Sequence, residues 1–150
     1  MPIVHESIVI DGSKADIWPY LVEPDKLLLW QSGVVELIAE WEGDPKPGDR
    51  SSGAIRIAGR RVSFQTEFTE VNPPGRVEFK SAQAPFPFAV SVELEDADGG
   101  TRVTYHAEAE SFRGFFGRLA APLVTRLYGR DVKGNLHNLK VLVEEAEATA

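Results

Sequence analysis

Five aromatic residues, Phe64, Phe68, Phe79, Phe88 and Tyr105, fall on one phase of segments that alternate apolar and polar positions, so they share one side of whatever those segments build. Phe116 and Tyr128 stand further along, where a helix would face them. A wall of rings with few polar groups suits an apolar small molecule. Burying about 200 Å² of such a ligand would contribute on the order of 5 kcal/mol at ~25 cal/mol per Å², before the costs of association. The polar groups on the same phase are few. Tyr105 carries a hydroxyl, Thr66 and Ser81 are the other inward-phase polar residues, and Trp30 offers an indole N–H at the expected mouth. Asp131 and Asn135 fall near the apolar stripe of the C-terminal segment and are candidates to point in from above. Against each stands a plainer role: core packing for the rings, a bond to neighbouring backbone for the polar groups.

Other chemistries find less support. His5, His106 and His137 are too far apart for a local metal motif such as HExxH and would have to converge through the fold; His106 also lies on the phase opposite Tyr105. Glu67, Glu78, Glu93 and Glu108 are each out of phase with the apolar residues of their own segments, which points them to solvent rather than into acid/base pairs. No GxGxxG, Walker-type loop or GxSxG elbow is present. The absence of cysteine removes disulfides, thiolate nucleophiles and Cys-type zinc sites together. No metal and no cofactor is expected.

The chain has 150 residues, 43% hydrophobic and 26% charged, and is expected to form one domain over 1–150. Its 16 Lys and Arg against 23 Asp and Glu give a formal charge of −7, which disfavours a phosphate backbone as partner. The basic residues are scattered, densest at Arg60-Arg61 and between Arg113 and Lys133. The uncharged run from Ser81 to Val92 contains Pro85 and Pro87 and is short of the ~20 residues of a membrane span. Met1 to Ile10 carries His5 and Glu6 and has no basic leader. A soluble cytoplasmic protein is the expectation.

These residues need elements to hold them. Ile3 to Ile10 reads as a strand ended by Asp11-Gly12, and Ser13 as the N-cap of a short helix with Asp16 three residues on. Pro19 keeps that helix short, and Pro24-Asp25 opens another ending near Trp30. From Gly33 to Glu110 the period becomes two. Val35, Leu37, Ala39 and Trp41 form one phase of the first strand there, and turns at Ala58-Gly59, Asn72 to Gly75 and Asp96 to Gly100 separate later ones. Six strands in a row, turning at short loops, predict an antiparallel sheet with one apolar face. Phe116, Leu119, Leu123, Leu127, Leu136, Leu139 and Val143 then recur at threes and fours and predict a long helix, regular or kinked from Pro122. Only that helix is large enough to cover the sheet, and a cylinder leaves a gap inside a strongly curved sheet. The fold class is α+β: a curved seven-stranded antiparallel sheet round a long C-terminal helix, with two short helices after the first strand.

This order resembles the START-related superfamily (SRPBCC), which includes Bet v 1-like and polyketide cyclase/dehydrase-like proteins. Ser13 to Trp18 with Leu21, Pro24-Asp25 and Trp30 is similar to the family's opening. Gly43 to Gly48 resembles its glycine-rich loop, Asn72-Pro73-Pro74-Gly75-Arg76 its turn before the next strand, and Leu139-Lys140 with Glu144 its terminal helix. The resemblance covers nearly the whole chain and implies a helix-grip fold with an internal cavity for apolar or amphipathic small molecules. No catalytic motif of the family matches residue by residue.

Three functions follow from that cavity. Binding or transport of a small hydrophobic molecule of lipid, polyketide or isoprenoid type needs the cavity alone. A cofactor-free cyclase, aromatase or dehydratase would in addition need a buried Arg, Tyr or His with a displaced pKa. A protein-interaction module would need an exposed apolar patch, for which Ala84 to Phe88 or Phe112 to Phe116 are the candidates, unless these form the rim of the pocket. Ligand identity and oligomeric state are not written in the sequence.

Overall fold

The computed structural model describes residues 2–110, 115–116 and 121–148. β1 (Pro2–Ile10) is followed by α1 (Lys14–Val22) and α2 (Pro24–Trp30). Six strands come next: β2 (Val34–Ala39), β3 (Arg50–Ile57), β4 (Arg60–Asn72), β5 (Arg76–Gln83), β6 (Phe88–Ala97) and β7 (Gly100–Ala109). α3 (Ala121–Ala148) closes the chain. The strands form one antiparallel sheet in the order β1-β7-β6-β5-β4-β3-β2, a meander in which β1 returns to pair with β7. This is the architecture the alternation predicts.

Local chemistry sets the element ends. The Ser13 hydroxyl accepts from the Asp16 N–H at 3.1 Å, satisfying one orphan donor of α1. Pro24 begins α2, where its missing N–H costs nothing. The β3–β4 hairpin turns through Ala58 (φ 50°) and Gly59 (φ 79°); two left-handed residues give the twist that a tight hairpin needs, and at Ala58 this is strained. Gly53 serves a different purpose. A Cβ there would lie 2.2 Å from the Glu36 carbonyl oxygen, so only glycine lets β3 approach β2 where the register shifts.

The sheet wraps round α3, and α1 and α2 close one end. The inner phases are those expected: Val62, Phe64, Thr66 and Phe68 on β4, Phe88, Val90, Val92 and Leu94 on β6, and Thr101, Val103, Tyr105, Ala107 and Ala109 on β7. Three details differ from the sequence-based expectation. Val35 is exposed because the β2 register shifts between Val34 and Glu36, and the irregularity rotates its side chain outward. The buried stripe of α3 runs through Val124, Val132, Leu136, Leu139 and Val143, leaving Leu123 at 41% exposure, because at ~3.6 residues per turn the step from Leu123 to Leu136 does not return to the same face. Phe116 precedes α3, and Leu119 lies outside the described residues.

Candidate functional site

Two core clusters meet in this fold without filling the space between them. The larger joins β1, β4, β5, β6, β7, α1, α2 and most of α3, with Ile10, Ile17, Trp30, Val103 and Leu139 almost wholly shielded. The smaller gathers Val62, Phe86, Ala109, Phe116 and Val124 near the start of α3. At their junction lies a half-enclosed cavity of about 110 Å³. Its floor is the inner face of the sheet, from Ile55 and Ile57 across Phe64, Phe79 and Val90 to Ala107. Val124, Thr125 and Tyr128 of α3 form its roof, and Gln31 and Val34 one side.

Phe86, Phe115 and Phe116 cover another side. Their ring centroids are 5.0–6.0 Å apart, and the Arg60 guanidinium sits 4.5 Å over the Phe115 ring. Phe86 is 7% and Phe116 5% exposed, so Ala84 to Phe88 and the described part of Phe112 to Phe116 turn their largest rings inward and are no exposed patch. Residues 112–114 lie outside the described set. The exposed large apolar side chains are elsewhere, on Leu28, Leu29, Val35 and Ile38 among others.

Few polar groups reach the cavity wall. Tyr105 of β7 and Tyr128 of α3 meet hydroxyl to hydroxyl at 2.7 Å. Burial pushes the Tyr105 phenol well above the ordinary tyrosine range, with Tyr128 adding to it, and burial also raises Tyr128, helped by the nearby Asp131 charge. Both are therefore neutral hydroxyls at physiological pH. Thr66 lines the wall too, its hydroxyl 2.7 Å from that of Ser51. Only Glu108 among the described lining residues is charged, and its carboxylate lies 3.1 Å from His106 Nε2.

Of the twelve residues singled out from the sequence, Phe64, Thr66, Phe79, Phe88, Tyr105, Phe116 and Tyr128 line this cavity. The other five stand elsewhere. Trp30 is not at a mouth: it is 1% exposed and its indole N–H donates to the Tyr20 carbonyl at 2.8 Å, holding α2 to α1. Phe68 packs between the rings of Trp41 and Phe79. The Ser81 hydroxyl accepts from the Phe88 N–H, pinning the β5–β6 connection. The Asn135 side-chain oxygen accepts from the Ser32 N–H and hydroxyl, tying α3 to the segment before β2. Asp131 is exposed on α3. Sequence reasoning left out Val62, Phe86, Val90, Ala107, Ala109 and Val124 as lining; most share the inward phase of a chosen neighbour, and that phase is the signal that would have found them.

Two of the three histidines do converge. His5 and His106 face each other across β1 and β7 with their Nδ1 atoms 3.0 Å apart, on the face away from the cavity. Among the described residues no group of three or more His, Cys, Asp or Glu side chains is arranged to hold a metal ion. The outward carboxylates sit in ion pairs: Glu67 with Arg50, and Glu78 and Glu93, together with Glu70, around Arg76. A second depression of about 530 Å³ is larger but shallow and open, walled by Glu36, Ser52, Gln65 and Gln83 on the outer face, and offers no apolar enclosure. Among the described residues no helix is long and apolar enough to cross a membrane.

A curled antiparallel sheet gripping one long helix over an apolar cavity defines a helix-grip protein. Residues 1–144 match the family model described as polyketide cyclase / dehydrase and lipid transport, and the chain belongs to that family, within the START-related, Bet v 1-like superfamily. No curated protein matches the sequence. Among solved structures it is similar to TTHA0849 from Thermus thermophilus (20% identity, TM-score 0.76, covering 95% of this chain and 97% of that one). It is similar also to the di-domain ARO/CYC StfQ from the steffimycin biosynthetic pathway (20% identity, TM-score 0.75), covering 96% of this chain and 51% of StfQ. Ara h 8.0201 is a third (13% identity, TM-score 0.67, 94% of this chain and 96% of that). At these identities the likeness is one of fold.

Proposed function

We propose that residues 1–150 act as one START-like domain that binds or carries a small hydrophobic molecule in the cavity beneath α3. The observation that carries this reading is the unfilled apolar seam between the two core clusters, in a family described by cyclisation, dehydration and lipid transport. Protein interiors are close-packed, so a void of about 110 Å³ forfeits dispersion contacts that an occupant restores. Its size sets a limit. A core cavity of ~150 Å³ takes a benzene-sized ring, whereas drug-sized ligands occupy ~300–1,000 Å³. At about 110 Å³ the cavity is smaller than the first of these and suits a small ring or a short branched chain; a longer lipid or polyketide requires the Phe86, Phe115 and Phe116 cover to move.

One observation favours cofactor-free cyclisation or dehydration as a second reading. Tyr105, buried, and Tyr128, half-buried, present protonated hydroxyls in the cavity wall, the kind of group that polarises a carbonyl. Native mass spectrometry of protein from its own host, with solvent extraction of bound material, separates the readings. A stoichiometric apolar adduct supports the carrier, and an adduct that converts to a new mass on incubation supports the enzyme. A protein that stays free of ligand against a panel of small lipids and polyketides refutes both.

A further inference from the structure

Which molecules the cavity accepts depends on what its two phenols leave over. Two hydroxyls carry two protons, and the bond between Tyr105 and Tyr128 uses one of them. The described residues make no other hydrogen bond to either oxygen, so whichever tyrosine accepts keeps its own proton unspent. A donor held in an apolar wall without a partner is costly, and most of the wall is carbon, from Phe64, Phe79, Val90, Ala107 and Val124; its other polar members are Gln31, Thr66, Thr125 and Glu108. No Lys, Arg or His stands among the described lining residues, and the one charged member is the acid Glu108. An anionic ligand would lose its hydration there without meeting a cation.

From this geometry we infer that the cavity selects neutral ligands bearing one oxygen acceptor, a ketone, ester or alcohol on a ring-sized apolar body, and that the Tyr105–Tyr128 pair supplies the donor. This rests on the carrier reading and narrows it. The pair presents a donor because both phenols hold their protons, burial having raised both. Bare hydrocarbons fill the space but leave the donor orphaned, and carboxylates are refused. A fatty acid would therefore enter with its chain or not at all.

The test compares cyclopentanone with methylenecyclopentane, which has the same shape and no oxygen, and with cyclobutanecarboxylate, which is an anion. Dissociation constants come from amide NMR titrations of the wild type and of Y105F/Y128F. Removing both hydroxyls together leaves no buried orphan, so the double variant is expected to fold. The affinity ratio of ketone to alkene should fall ~5–10-fold in the variant, the scale of one neutral hydrogen bond. The carboxylate should leave the cavity residues unshifted. A second readout needs no variant: the carbonyl stretch of cyclopentanone bound to the wild type should lie below its frequency in an alkane solvent. An unchanged ratio, an alkane-like stretch, or a ratio that falls only in Thr66→Val overturns the assignment of the donor while leaving the cavity reading intact. Failure of both neutral probes to shift any cavity residue overturns the cavity reading as well.

Discussion

Ala107→Leu tests whether the seam between the clusters is real space. Ala107 is 2% exposed, lines the cavity and sits on β7 between Val4 of β1 and Val90 of β6. Leucine adds three carbons. In a filled core such an insertion costs about 1–3 kcal/mol through off-rotamer side chains and shifted backbone. Beside about 110 Å³ of empty space the added carbons instead gain burial, at most ~2.4 kcal/mol at ~0.8 kcal/mol per methylene. Imperfect fit reduces that, and the expected result is a stabilisation of about 1–2 kcal/mol. For a chain of this size it raises Tm by roughly 2–8 °C. Urea unfolding followed by circular dichroism should show a higher midpoint at unchanged slope. The same substitution should abolish binding of any ligand that occupies the wild-type cavity. A variant destabilised by more than about 1 kcal/mol would refute the reasoning, because it would mean that neighbouring side chains already fill the site.

Three further outcomes follow from the same structure. In a double-mutant cycle on the buried Ser51–Thr66 hydroxyl pair, Ser51→Ala and Thr66→Val should each cost ~1–3 kcal/mol by orphaning the partner, and the double variant should cost clearly less than their sum in urea unfolding. Alkaline titration followed by phenolate absorbance should show Tyr105 and Tyr128 ionising late. Their folded pKa values lie above 10.0, so they favour the folded state below that value and stability declines as pH rises beyond it, less steeply in Y105F/Y128F. Gly53→Ala should lower the urea midpoint by more than the equivalent of about 1 kcal/mol, since its methyl would drive β3 away from the Glu36 carbonyl; Gly43→Ala meets no neighbouring atom and serves as the comparison for a purely local conformational cost.

The strands were legible because a half-buried sheet imposes a period of two that no other element imitates, and Val62 to Phe68 on β4 and the inner phases of β6 and β7 follow it, whereas an irregularity after Phe68 shifts the phase so that Val71 packs inward. The first short helix was legible from Ser13 and the second from Pro24, whose chemistry is local. What failed to show was rotation and partnership. That Val124 rather than Leu123 is buried depends on which face α3 turns to the sheet, and Val35 faces outward because one irregularity interrupts its strand. Trp30 reads as a mouth residue from its place at the end of the second short helix, yet its indole N–H is spent on a backbone carbonyl ten residues earlier, a partner that side-chain types do not reveal. Tyr105 and Tyr128 were both chosen, on different grounds, yet their meeting at 2.7 Å depends on the roll of α3 over β7. Trp41 shows the same limit from the other side: it packs against Phe68, and its indole N–H is buried with no hydrogen-bond partner among the described residues, which strand phase alone does not foretell.

The pairing of β1 with β7 has a consequence for the order in which the molecule is made. His5 and His106 are register partners separated by 101 positions, whereas β3 to β6 each meet the next strand through a short connection and β2 meets β3 through the loop at 40–49. Closing a loop of that length costs ~4 kcal/mol of chain entropy before any contact repays it. At ~5–20 residues per second, a ribosome takes roughly 5–20 seconds to deliver the partner of β1. During that interval Val4, Ile8 and Ile10 have no strand beside them, while the hairpins of the meander can already form. The α3 roof arrives later still. The nascent chain thus passes through a stage in which its apolar face is open, and the time spent there sets how much of it is exposed to chaperones and to aggregation.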